Sequence, residues 1–160
     1  MKNETDITDK RIRTKEHFEL HFFDEVYRTY VIYIICPIDR LKPLLFEYGY
    51  KKDLIEELGD SASGYCIQLN AETSTVKGQN GYVIWQQERH IPCLVHELTH
   101  LTMSVFDYHN VPICIENQEV FCYYVEHWVK RIIELWRVPR EKKIDQHSKQ
   151  LTINDKVAKA

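Results

Sequence analysis

Ile91-Pro92-Cys93-Leu94-Val95-His96-Glu97-Leu98-Thr99-His100-Leu101-Thr102-Met103-Ser104-Val105-Phe106 is the stretch on which the reading of this chain turns. Ile91, Leu94, Leu98, Leu101 and Val105 recur at the spacing of an amphipathic helix that buries one face. His96 and His100 lie one helical turn apart, away from that seam. Two imidazoles so placed can reach one ion at about 2.0–2.1 Å. Glu97 stands beside the first histidine and points off to one side. There its carboxylate can polarise a water on the metal and later carry a proton to a leaving group. Two His and a carboxylate suit zinc, so Zn2+ is the expected cofactor.

A catalytic zinc needs a third protein ligand and one open position. Asp107 is on the same helix but about 10 Å along the axis from His100, too far to share the ion. Glu119 is the favoured third ligand. It opens a second helix, expected from about Glu116 to Trp136, that a short connection lets pack back antiparallel on the first. Glu116 is its main rival, and His109 in the connecting loop stays open. The seam of the second helix is Phe121, Val125, Trp128, Ile132 and Leu135, which leaves Glu119 on the polar wedge with Glu126 and Lys130. Tyr123, one turn beyond Glu119, has a phenol able to donate to a developing oxyanion. Packing is the commoner role of a helical tyrosine and is favoured for it. His127 is expected to be exposed, and Asn117 is placed to cap the second helix.

Upstream of these helices the pattern is β-rich. Phe22 to Cys36 is β-branched and aromatic and reads as one long strand stopped by Cys36-Pro37. Ile38, Leu41, Leu44 and Leu45 predict a helix from Ile38 to about Glu47, and Asp53 to Leu58 a further helical turn. Tyr65 to Asn70 and Tyr82 to Trp85 read as strands around an Asn-Gly turn at Lys77 to Gly81. The expected class is α+β: a small antiparallel or mixed sheet of about three to four strands, packed on an N-terminal helix and two C-terminal helices. Residues 1–16 are polar and expected to be flexible, 17–139 form one domain, and 140–160 are a polar tail beyond Val138-Pro139.

Bulk properties narrow the function. The chain of 160 residues suffices for one domain with one core. With 44% apolar and 28% charged residues it falls in the ordinary soluble class. Its net charge of −3 gives no reason to expect nucleic acid as a partner. The apolar run Tyr30 to Cys36 is too short to span a bilayer, and the polar start carries no secretory signal, so a cytoplasmic location is expected. The five cysteines, Cys36, Cys66, Cys93, Cys114 and Cys122, are odd in number and include no Cys-x-x-Cys pair. Reduced, mostly buried thiols follow, and not a disulfide framework or a thiolate zinc site.

Taken together, the β-rich middle, Trp85, the His96-Glu97-x-x-His100 helix and Asn117-Gln118-Glu119 opening a helix with Tyr123 resemble the small His-Glu-x-x-His…Glu proteins of bacteriophages and prophages, the minigluzincin-like zincins. The resemblance covers roughly Tyr65 to Trp136, with Gly64 and Trp85 as softer anchors. It implies a zincin core, His96, His100 and Glu119 as zinc ligands, and Glu97 as general base. The long strand before Cys36 and the charged ends have no counterpart in that pattern.

Two functions are expected to compete. One is a zinc-dependent peptidase acting on a peptide or protein, with Tyr82 to Trp85 pairing with the extended substrate. The other is a zinc-stabilised, phage-type binding module that occupies a host protein. The residues leave substrate and oligomeric state open.

Overall fold

The computed structural model describes residues 10–13, 17–75 and 81–137. Residues 1–9 and 14–16 of the N-terminal segment, the tail from 140 to 160, the stop at 138–139 and most of the Asn-Gly turn fall outside them. Among the described residues five strands form one mixed sheet: β1 (Lys10–Arg13), β2 (Phe18–Asp24), β3 (Thr29–Ile35), β4 (Gly64–Leu69) and β5 (Gly81–Gln86). Their order is β1-β2-β3-β5-β4. β3 and β5 are parallel, and every other neighbouring pair is antiparallel. Four helices among the described residues complete the α+β fold: α1 (Ile38–Glu47), α2 (Lys52–Glu56), α3 (Ile91–Tyr108) and α4 (Gln118–Arg137), the last entered through a 3-10 turn at Ile115–Asn117.

The sheet has one more strand than the upper expectation, for two reasons. The long run from Phe22 to Cys36 is broken into β2 and β3. Asp24 folds back so that its Oδ1 accepts the backbone N–H of Val26 at 2.9 Å and of Tyr27 at 3.2 Å. Arg28 then takes a left-handed φ of 50° to reverse the chain. Asp24 Oδ2 also accepts the Tyr124 hydroxyl, which ties the turn to α4. The second reason is that Lys10–Arg13, in the segment expected to be flexible, pairs with β2 as an edge strand.

Alternation along the strands separates two cores. Phe18, Leu20, Phe22, Val31, Tyr33, Tyr82 and Ile84 face α3 and α4, meeting Leu94, Leu98, Leu101, Val105, Trp128 and Ile132. Ile32, Ile34, Val83, Trp85, Ile67 and Leu69 face Leu41, Leu45 and Ile55 of α1 and α2. β5 is buried at every position because helices cover both its faces, so it reads as a continuous apolar run. The seams of α3 and α4 are as expected, except that Ile91 is 51% exposed. As the first residue of α3 it lies at the margin of the layer. The first turn of α1 and the spans of α3 and α4 agree with the helical periodicity to within two residues.

Cysteine burial departs from expectation. Cys36 is buried, Cys66 and Cys93 are half-buried, and Cys114 and Cys122 are exposed; all five are free. The last two sit on the solvent side of the α3–α4 corner, where helical spacing carries no inward pull. No helix among the described residues is long and apolar enough to cross a membrane.

Candidate metal centre

α3 lies across β4 and β5 and presents His96 and His100 to solvent. Their Nε2 atoms are 3.2 Å apart and the rings stand at 79°. Two nitrogens bound to one tetrahedral zinc at about 2.0–2.1 Å are separated by about 3.3 Å. The pair therefore spans one edge of such a coordination shell without rearrangement. The same separation suits an Nε2–H···Nε2 hydrogen bond when one ring carries the proton.

The Glu97 side chain lies against the sheet edge and is 7% exposed. Its burial has a local cause. Gln87 N–H donates to Ser63 O at 3.1 Å, so Ser63 and Gln87 form a hydrogen-bonded pair at the start of the β4–β5 ladder. Pairs alternate along an antiparallel ladder, so the backbone groups of Gly64, Cys66 and Gln68 point outward from the free edge of β4. The outward N–H of Cys66 donates to the Glu97 carboxylate. Burial raises the Glu97 carboxyl above its ordinary range, against the opposing pull of His96, His100 and the Cys66 N–H.

Gly64 makes this contact possible. A Cβ there would stand 2.6 Å from Cys93 Sγ and 2.8 Å from Glu97 Oε1. Only a residue without a side chain lets β4 lie so close to α3. Beside this contact an open cleft of about 460 Å³ is lined by Ala62, Ser63, Gly64, His90, Cys93, His96 and Glu97. Cys93 Sγ donates to Ser63 O at 3.5 Å within it. Trp85, the other soft anchor, is fully buried, stacks on Tyr65 and donates its indole N–H to Cys36 O at 2.9 Å. It supports β5 from the opposite face of the sheet.

The remaining sequence candidates are not gathered here. Among the described residues no three His, Cys, Asp or Glu side chains are arranged to hold one ion. Glu119 is exposed in the first turn of α4. α4 is seated by Trp128 and Ile132, which leaves Glu119 on the outer wedge. Glu116, also exposed, engages the Cys114 thiol, which holds its carboxyl below the ordinary range. His109 packs its ring against Tyr27 and Tyr108. Tyr123 is 64% exposed, so the packing role expected for it is not realised. Asn117 belongs to the 3-10 turn and donates to Pro112 O at 3.3 Å; it bridges the loop and does not cap α4. His127 is exposed, with its ring edge on Trp128.

β5 cannot serve as a substrate-pairing strand, because β3 and β4 occupy both its edges. β4 is the strand with an edge open beside the cleft. A second polar cluster was missed at the level of sequence. His17, just before β2, gathers with Glu19 and His21 of β2 at every second residue, and Glu19 is only 1% exposed. Glu19 is bonded by His21 and the Tyr48 hydroxyl, with His17 Nε2 at 3.4 Å. Burial raises its carboxyl, but the bonds from His21 and Tyr48 and the nearby imidazoles outweigh that and leave it below its ordinary value. The signal was the period-2 spacing of His17-x-Glu19-x-His21.

Comparison of the chain with protein-family models, with curated proteins and with solved structures finds no match.

Proposed function

We propose that the chain is a zinc-dependent peptidase of the zincin type, with His96 and His100 as metal ligands and Glu97 as general base. The observation that supports this most is the 3.2 Å between the two Nε2 atoms, an edge of a zinc coordination shell, with the carboxyl of Glu97 buried beside it at an open cleft. Zinc, when bound, supplies a Lewis acid that brings the pKa of water to about 7. The chain does the rest. The outward backbone groups of Gly64 and Gln68, with the C=O of Cys66, pair with an extended peptide laid along β4, while the Cys66 N–H stays with Glu97. Glu97, anchored by the Cys66 N–H, takes a proton from the attacking water as oxygen bonds to the scissile carbonyl carbon. It returns that proton to the departing amine as the C–N bond breaks. Glu119 is proposed as the third ligand, reached by an inward shift of the first turn of α4; Tyr123, one turn on, would come with it.

The test is cleavage of an unbiased peptide library by the zinc-loaded chain, read by mass spectrometry. Glu97→Gln is expected to keep zinc and lose cleavage by about 10²–10⁴-fold. Undiminished cleavage by that variant would sink the peptidase reading. Retained function in Glu97→Gln with unfolding in His96→Ala would point instead to a zinc-stabilised module that binds a host protein.

A further inference from the structure

The outer face of α3 is unusual for a solvent-facing helix. From Ile91 to Phe106 its one charged residue is Glu97, and that side chain is buried. The exposed stripe instead carries Ile91 at 51%, Val95 at 37% and Met103 at 47% exposure around the histidine pair. Exposed helix faces ordinarily hold charged side chains, and an uncharged, partly apolar one marks a surface that meets something. The identity of the partner follows from the histidines. His96 and His100 supply two donors one tetrahedral edge apart, and zinc takes four. A two-fold axis through the ion brings the same two residues from a second copy to the opposite edge, and the contact is self-complementary. An unrelated apolar partner would cover Val95 and Met103 but would supply no donors.

We propose that two copies of this chain bridge one zinc ion through their His96–His100 pairs when zinc is limiting, and that excess zinc releases monomers. This rests on the zinc reading of the histidine pair given above. The two copies meet with little like-charge repulsion, because from Ile91 the stripe carries no exposed Asp, Glu, Lys or Arg before Asp107. His96 also lines the cleft beside β4, so the bridged form covers the route by which a peptide would reach Glu97. The bridge is then a resting state. Mass action sets its range: half an equivalent of zinc fills every bridge, whereas excess zinc gives each pair an ion of its own.

Zinc titration of the full chain, followed by light scattering after size-exclusion chromatography and by metal analysis of each peak, tests it. With chelator the mass should be that of one chain, 19.2 kDa. It should double near half an equivalent of zinc and return to one chain at tenfold excess. Met103→Glu should weaken the bridged dimer at least tenfold while still binding one zinc per chain, and His96→Ala should stay monomeric throughout. Zinc-loaded monomer at half an equivalent would overturn the bridge and leave the metal site standing. A dimer that persists in chelator would overturn the role of zinc in joining the copies. No zinc binding at all would remove the metal site and the bridge together.

Discussion

α3 and α4 lie side by side on one face of the sheet and bury the same kind of surface, yet their outer faces differ in charge. Inside, Leu94, Leu98, Leu101 and Val105 of α3 share a core with Trp128 and Ile132 of α4. Outside, α4 carries Glu119, Glu126, Lys130 and Glu134, with Lys130 paired to Glu126 at 2.6 Å. α3 shows no exposed charge before Asp107 and displays a histidine pair. The inner faces are dictated by the sheet and reveal the fold. The outer faces are free of that demand, so their difference bears on function. From Glu126 onward α4 presents charge to water, whereas α3 presents an uncharged stripe around two histidines.

The inner faces should respond most strongly. Trp128→Ala is expected to cost about 3–5 kcal/mol and Leu98→Ala about 2–5 kcal/mol, since both side chains are fully buried. Chemical denaturation checks this, and a neutral Trp128→Ala would mean that α4 is not seated as described. Next comes Gly64, where α3 meets β4. Gly64→Ala should cost about 1 kcal/mol, because the groups in its way are the ends of flexible side chains, and it should push Glu97 from its seat. Cleavage should then fall at least tenfold. Gly59→Ala is the control, since its added carbon would meet Tyr65 Oη at an ordinary 3.5 Å.

A weaker effect is expected on the other face of the sheet, at Glu19. Its folded carboxyl lies below the ordinary value, so the stabilisation it gives is fully present above the unfolded value, near pH 4.5, and is lost as pH falls through the folded one. Glu19→Gln should therefore be less stable than the native chain at neutral pH, with the gap closing below about pH 4. A gap that widens in acid would refute the cluster. The smallest effect belongs to the outer face of α4. Lys130→Ala should leave the denaturation midpoint unchanged within error, as exposed pairs one turn apart contribute little.

Much of this comparison could be read from the amino-acid order. The seams of α3 and α4 and the two histidines follow from a period of 3.6 residues, which packing on a sheet enforces. The turn at Asp24 to Arg28 was hidden because Val26 and Tyr27 look like strand residues, and one carboxylate closing on two N–H groups outweighs their propensity. The order of the sheet was hidden too. Pairing of β3 with β5 is a long-range choice that local patterning does not encode, and it moved the open edge from Tyr82–Trp85 to β4. The burial of Glu97 depends on the outward N–H of Cys66 and on the bare Cα of Gly64, which meet it only once β4 is the edge. Glu119 stands on a wedge where a ligand and a solvated carboxylate look alike in sequence.

The outer face of α3 is proposed to hold zinc through His96 and His100. Calorimetric zinc titration of the untagged chain beside His96→Ala and His100→Ala measures it directly. Saturable zinc binding that weakens by more than about 100-fold in each variant, with the fold intact by circular dichroism, is the predicted result, since even outer-shell losses cost roughly 10–100-fold. Equal affinity in all three proteins, or no binding in any, would contradict it.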